Sequence, residues 1–195
     1  MEILALLNHI APHITLSEEE KDYFASLWKV KKFKRKQLVE QPGVVSKYRT
    51  YVIKGALRGY VIGNNGQEHT ISLAVEDWWI GDPGSFFYQE PATLYVEALE
   101  DCVLLQLSYE NEQMLLQKIP AFEHFFMIRW QRIAIMAQRR VISNLKLSAE
   151  QRYEEFANRY PTFIQRIPLY IIASYLGMTR EFLSKIRNQK VNAKK

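Results

Sequence analysis

The chain is poor in cysteine and histidine, and each shortage removes a class of function. Cys102 is the only cysteine among 195 residues, so no disulfide closes within the chain and no iron–sulfur cluster finds the several thiolates it needs. Within "EDCVLLQL" this cysteine reads as a strand residue, and a single thiol fits a reducing compartment, so a cytoplasmic protein is expected. The four histidines, His9, His13, His69 and His124, are scattered. Only His9 and His13 have a helical i, i+4 spacing, and Pro12 stands between them. A metal-dependent oxygenase or isomerase on a β-barrel needs histidines and carboxylates clustered at ligand spacing, so no metal is expected. The chain also lacks a G-x-S-x-G nucleophile elbow and a phosphate-cradling P-loop, and no enzyme is expected. No run of about 18 apolar residues is present, so no membrane span is expected. "MEILALLNHI" has no basic segment leading into a long apolar one, and no secretory leader is expected.

Charge is present, and it is uneven. The net charge is +5, yet from Arg139 to the end 12 lysines and arginines face 4 acids, a balance of +8 that leaves −3 on residues 1–138. A basic quarter on a slightly acidic body suggests a polyanion partner for that quarter. With 48% hydrophobic and 24% charged residues the composition is that of a folded globular chain.

Periodicity changes twice along the chain. "TLSEEEKDYFASLW" predicts a short helix, with Thr15 or Ser17 as N-cap, Glu18 or Glu20 three residues on, and an apolar face of Tyr23, Phe24, Leu27 and Trp28. From about Lys29 to Gln106 the period is two. "YRTYVIKGALRGYVI" is rich in β-branched and aromatic residues, Asn65-Gly66 predicts a type I′ hairpin turn, and further short strands predict a sandwich or roll. After Tyr109 glycine disappears until Gly177. Phe122 to Leu145 reads as one helix with two apolar stripes. One runs through Met127, Trp130, Ala134, Ala137 and Val141, the other through Phe125, Ile128, Ile135 and Ile142. Both stripes need cover, and their 3-and-4 spacing predicts a parallel or near-parallel homodimer helix. Ser148 and Gln151 form a second capping-box spacing at the start of "SAEQRYEEFANRY". Pro161 ends that helix, and "PTFIQRIP" reads as a connector.

The stretch "LYIIASYLGMTREFLSKIR", Leu169 to Arg187, carries the strongest signal. Two helices crossing through a tight turn need apolar residues in the wedge, a small residue at the close approach and a glycine where the first helix ends. Ile172, Leu176, Met178, Leu183 and Ile186 supply the apolar positions, Ala173 the small one and Gly177 the glycine. Thr179 is placed to cap the second helix. Thr179, Arg180, Glu181, Ser184, Lys185 and Arg187 are left facing outward, where arginine offers a fork to guanine, glutamate accepts from cytosine and hydroxyls reach phosphates or bases. A helix-turn-helix that reads double-stranded DNA is expected.

A roll with "YVIKGALRGYV", a long apolar helix and "IASYLGMTREFLSKIR", in that order, resembles the Crp/Fnr superfamily of bacterial transcription regulators. The resemblance covers nearly the whole chain. It implies an α+β fold divided as a cyclic-nucleotide-binding-like β-roll over residues 1–118, a dimerisation helix over 119–146 and a helix-turn-helix domain over 147–195. It implies a homodimer on an inverted-repeat operator, with RNA polymerase as a further partner, and Arg180, Glu181 and Lys185 at the base-contacting positions. Lys185 stands where arginine is common, which turns a bidentate contact into a point charge. Members that bind cyclic nucleotide carry Gly-Glu and then Arg-Ser/Thr-Ala. Here Gly81-Asp82 stands for the first pair, Ala92 and Thr93 lie near the second, and no arginine occurs between Arg58 and Arg129. A cyclic phosphate would lack its charge partner, so no cyclic nucleotide is expected to bind in the family's way, and the effector is left unnamed. The aromatics of "DWWIGDPGSFFY" suit either an apolar pocket or the core, and the core is favoured. Only "NQKVNAKK" follows Arg187, too short for a full C-terminal wing, with Lys190, Lys194 and Lys195 as non-specific phosphate contacts. The competing reading is a ligand-sensing or signalling scaffold with no specific DNA target.

Overall fold

The computed structural model of the chain describes residues 2–193 and the side chains of residues 2–189. Lys194, Lys195 and the side chain of Lys190, with their expected phosphate contacts, lie outside the described residues. The described residues form two compact units, one from the residues through Val61 with Ser72–Gln131, the other from Ile62–Ile71 with the residues from Arg132 on.

The first unit opens with α1 (Glu2–Ile10) and α2 (Glu18–Ser26). Sequence periodicity did not single out α1; its Leu6 and Ile10 are almost wholly buried. Ser17 caps α2, its hydroxyl accepting from the Glu20 backbone while Glu20 accepts from the Ser17 backbone, which is the reciprocal box expected from the spacing. Eight strands follow among the described residues, in two antiparallel sheets. They are β1 (Trp28–Phe33), β2 (Leu38–Glu40), β3 (Tyr48–Lys54), β4 (Leu57–Ile62), β5 (Glu68–Ala74), β6 (Trp79–Ile80), β7 (Tyr95–Ala98) and β8 (Cys102–Ser108). One sheet has the order β1-β8-β3-β6, the other β2-β7-β4-β5. The short α3 (Pro83–Tyr88) interrupts the strands, and α4 (Tyr109–Lys118) follows β8.

Strand alternation divides the core. Val52 and Leu104 point between the sheets, with Leu57, Val96, Ala98 and Cys102. Their chain neighbours Tyr51 and Leu105 point the other way, onto Leu6, Phe24, Leu115, Phe122 and Phe126 of the helices. β8 is therefore covered on both faces, and its unbroken apolar run follows from that.

The long helix α5 spans Ala121–Lys146, one residue beyond the expected limits at each end. Phe122, Phe125 and Phe126 are buried, but Met127, Ile133, Ile135, Val141, Ile142 and Leu145 are exposed large apolar side chains of the single chain.

In the second unit Ser148 and Gln151 close a capping box at the start of α6 (Ala149–Arg159). The segment expected to be a connector is instead a helix, α7 (Pro161–Arg166), with Pro161 in its first turn. Proline here ends one helix and begins the next, because its fixed φ and missing N–H suit a first turn. α8 (Leu169–Tyr175) and α9 (Arg180–Ala193) complete the unit, and no strand follows β8 among the described residues.

The β4–β5 hairpin tip, residues 62–71, belongs to this unit. Its turn falls one residue earlier than expected, with Asn64-Asn65 as the central pair and Gly66 after them, and it is not type I′. Gly66 has φ +79° and Asn65 is not among the residues of positive φ. Gly66 N–H donates to Gly63 C=O at 2.9 Å, and the Asn65 side chain accepts from Gln67 N–H at 3.1 Å. A type I turn followed by a left-handed glycine needs positive φ only once, and the Asn65 side chain, engaged with the backbone, stabilises that version. Ser174 of α8 holds the tip, its hydroxyl accepting from Thr70 N–H at 2.9 Å and donating to Glu68 C=O at 3.1 Å.

Candidate nucleic-acid interface

α8 ends because Gly177 takes φ +67°. The Met178 N–H then reaches back to Ala173 C=O at 3.0 Å and the Gly177 N–H to Ser174 C=O at 3.1 Å. These two bonds are the paired closure of a helix C-terminus that glycine permits. Thr179 caps α9, its hydroxyl accepting from Phe182 N–H at 3.2 Å. Ile172, Ala173, Leu176, Leu183 and Ile186 are all buried, while Met178 is half-buried and Gly177 exposed. The wedge residues thus meet where spacing put them.

The outward side chains are Thr179, Arg180, Glu181, Lys185 and Arg187, all exposed, with Ser184 half-buried. Glu181, Ser184 and Lys185 follow the i, i+3, i+4 rhythm of one helix face. Asn188, exposed, extends that row by one turn. Reasoning from the sequence missed it because the nineteen-position pattern stops at Arg187, although continuing the helical period one step finds it. Arg180 and Arg187, seven apart, flank the row. Phe182 is 44% exposed and sits on the opposite flank.

The residues near the expected ligand position also come together, around α3. Asp82 is the N-cap of α3. Its carboxylate accepts from Ser85 N–H at 3.1 Å, Thr93 N–H at 2.8 Å and the Thr93 hydroxyl at 2.9 Å. Burial opposes this charge, but the hydrogen bonds from Thr93, Ser85 and Gly84 outweigh it, and the carboxyl titrates below its ordinary value. Gly81 lies against Glu40, whose Oε1 would be 3.0 Å from any added Cβ. Glu40 in turn accepts from the Asp82 N–H at 2.9 Å and the Ser46 hydroxyl at 3.0 Å. Ala92 is buried and pairs by its backbone with Gly43 and Val44. Burial pushes the Glu40 carboxyl up to about 7, against the two hydrogen bonds and with the Asp82 charge adding to the rise.

A cyclic phosphate needs backbone donors and a cation. Here the protein's own Asp82 takes the donors of Ser85 and Thr93. Arg58, the last arginine before the gap, is paired with Glu97 at 2.6 and 2.7 Å across the β4–β7 ladder. The sequence holds no other arginine from residue 59 to residue 128. The nearby aromatics divide, with Phe86 buried, Trp78 and Trp79 packed against the core, and Phe87 and Tyr88 exposed. Trp79 packs on Trp28, Tyr51 and Phe126, and Phe86 and Phe87 flank the Arg49 guanidinium.

The elements run in the order of a roll of two antiparallel sheets broken by a short helix, then a long helix and a helix-turn-helix. Residues 30–119 match the family model of the cyclic nucleotide-binding domain. Among solved structures the chain is similar to the c-di-GMP responsive global regulator CLP of Xanthomonas campestris, at 17% identity and TM-score 0.68 over 91% of this chain and 93% of that one. It is similar to the catabolite activator protein of Thermus thermophilus, at 20% identity and TM-score 0.58 over 91% and 85%. It is also similar to FixK2 of Bradyrhizobium japonicum, at 15% identity and TM-score 0.69 over 85% of each chain. No curated protein matches the chain by sequence. The fold is the one its Crp/Fnr resemblance implies. Among the described residues no helix is long and apolar enough to cross a membrane, and no group of three or more potential ligands gathers as for a metal ion.

Proposed function

We propose that the chain is a sequence-specific DNA-binding transcription regulator of the Crp/Fnr type, acting as a homodimer on an inverted-repeat operator in the cytoplasm, without an enzymatic step of its own. The observation that carries this reading is the helix-turn-helix. Its five apolar positions, small residue and glycine all match, Gly177 is left-handed, and α9 presents a polar outer row. Arg180 and Arg187 offer forks to guanine, Asn188 suits adenine, Glu181 suits cytosine, and Phe182 suits a thymine methyl. The exposed apolar side chains of α5 support the dimer, and the similar folds of known regulators support the class. RNA polymerase is the further partner this class implies.

We further propose that the roll does not hold cyclic nucleotide in the family's way, because no arginine occurs between Arg58 and Arg129 and Arg58 is paired with Glu97, which leaves a cyclic phosphate without a cation. Calorimetry with cyclic AMP and cyclic GMP tests this, and saturable micromolar binding would refute it.

For the DNA reading, the purified dimer is titrated at fixed salt with duplex from its own upstream region and with scrambled duplex. A preference of about 10³-fold or more is expected. Arg180→Ala should cost about 1–3 kcal/mol for each base that the arginine reads, and should relax the preference. Equal affinity for both duplexes would return the scaffold reading.

A further inference from the structure

The second unit contains a cleft of about 330 Å³ walled by the C-terminal half of α5, by α6 and by the end of α8. Arg139, Arg140, Lys146, Arg152 and Arg159 line it, against one acid, Glu155. Its apolar wall includes Leu147, Phe156 and Leu176, and the last two are buried. Arg152 ties one guanidinium nitrogen to Leu147 C=O at 2.9 Å, but its Nε is enclosed without a hydrogen-bond partner. A buried donor left unmade is costly, and an acceptor placed in the cleft would relieve it. Arg140 is already engaged, donating to Ile71 C=O at 2.6 Å with its guanidinium 4.7 Å from the centre of the Tyr175 ring.

We propose that this cleft binds a small organic anion with an apolar body, of the aryl carboxylate kind. Its volume is at the lower end for small-molecule sites, and it combines convergent polar groups with an apolar lining as such sites do. The dimer stripe does not close the cleft. Met136, Arg140, Ser143 and Leu147 line the cleft, and at 100° per residue their centre lies roughly 130° around the helix from that of the stripe through Ala134, Ala137 and Val141, while Ile142 of the second stripe stands among the lining residues. Since the cleft joins α5 to α8, an anion seated there would brace the first helix of the DNA-reading pair against the dimer helix. The effector site would then lie in the DNA-binding unit and not in the roll.

The test uses the full chain without DNA, so it does not depend on the regulator reading. Fluorescence titrations are run with 2-naphthoate, with the neutral 2-naphthylmethanol and with inorganic phosphate. One saturable naphthoate site per chain is expected, with the alcohol and phosphate each weaker by about 10-fold or more. Arg152→Met should weaken naphthoate by about 10-fold. Because Arg152 also holds the Leu147 carbonyl, Lys146→Glu, at an exposed side chain, serves as a second variant with an unchanged melting temperature and several-fold weaker binding. Equal affinity for alcohol and carboxylate, equal affinity for phosphate, naphthoate binding that neither substitution alters, or no saturation in the millimolar range would each overturn the proposal.

Discussion

Arg49 and Glu112 show how one buried pair organises its surroundings. Both are nearly inaccessible. Arg49 Nε and a terminal nitrogen both donate to the Glu112 carboxylate, the latter at 2.6 Å, and the guanidinium lies over Phe126 at 4.2 Å with Trp130 at 5.3 Å. Breaking such a pair leaves an uncompensated buried charge. Glu112→Ala should therefore cost about 3–5 kcal/mol in urea unfolding, while Glu110→Ala, two residues away on the surface, should cost little. Glu40 makes a pH prediction. Its carboxyl titrates near 7 against an ordinary 4.5, so between these values the folded state holds a proton that the unfolded state has lost. Stability from this group is then full below about pH 4.5 and fades as pH rises to 7, by up to about 3 kcal/mol. The urea midpoint should fall between pH 5 and pH 8, and Glu40→Gln should flatten that fall. An unchanged slope in the variant would show that another group is responsible. Neither residue was legible in the sequence. Glu112 meets a partner 63 residues away and Glu40 one 42 residues away, and no local period records such a pairing.

At the scale of elements, legibility follows the range of the constraint. The helix-turn-helix was readable because all its requirements fall within Leu169–Arg187, and the two capping boxes because each needs four residues. The hairpin was foreseen, but its turn was placed one residue late and given the wrong type, since Asn-Gly serves either as the centre of a type I′ turn or as the end of a type I turn closed by a left-handed glycine. That its tip joins the second unit through Ser174 was beyond reach, because the contact spans 104 residues. Two glycines separate backbone strain from crowding. An added Cβ at Gly177 meets nothing within 4 Å, so Gly177→Ala should cost only the left-handed conformation, about 1–2 kcal/mol. At Gly55, φ is +116° and the Cβ would lie 2.9 Å from the Cys102 Cα. Gly55→Ala should cost more than about 3 kcal/mol, as overpacking adds to strain. Denaturation of both variants checks the order, and a larger loss at Gly177 would reverse it.

For the whole molecule the proposed dimer rests on the exposed stripe of α5. Val141 is 57% exposed and Leu145 81% in the single chain, a burden that a helix normally relieves by pairing. Val141→Glu should shift sedimentation from dimer toward monomer and weaken operator binding, with the melting of the roll unaltered. A wild-type chain that sediments as a monomer at micromolar concentration would remove this part of the account. The stripe was visible in the sequence as a 3-and-4 repeat, but its exposure was not, because periodicity alone does not say which chain supplies the cover. The central claim is that two copies of α9 read two major grooves. It is tested most directly by selecting bound duplexes from a random pool with the purified chain and sequencing them. The account predicts an inverted repeat with half-site centres about one helical turn, roughly 34 Å, apart, recovered by the wild type and absent with Arg180→Ala. A pool that stays random, or a single unrepeated half-site, would contradict it.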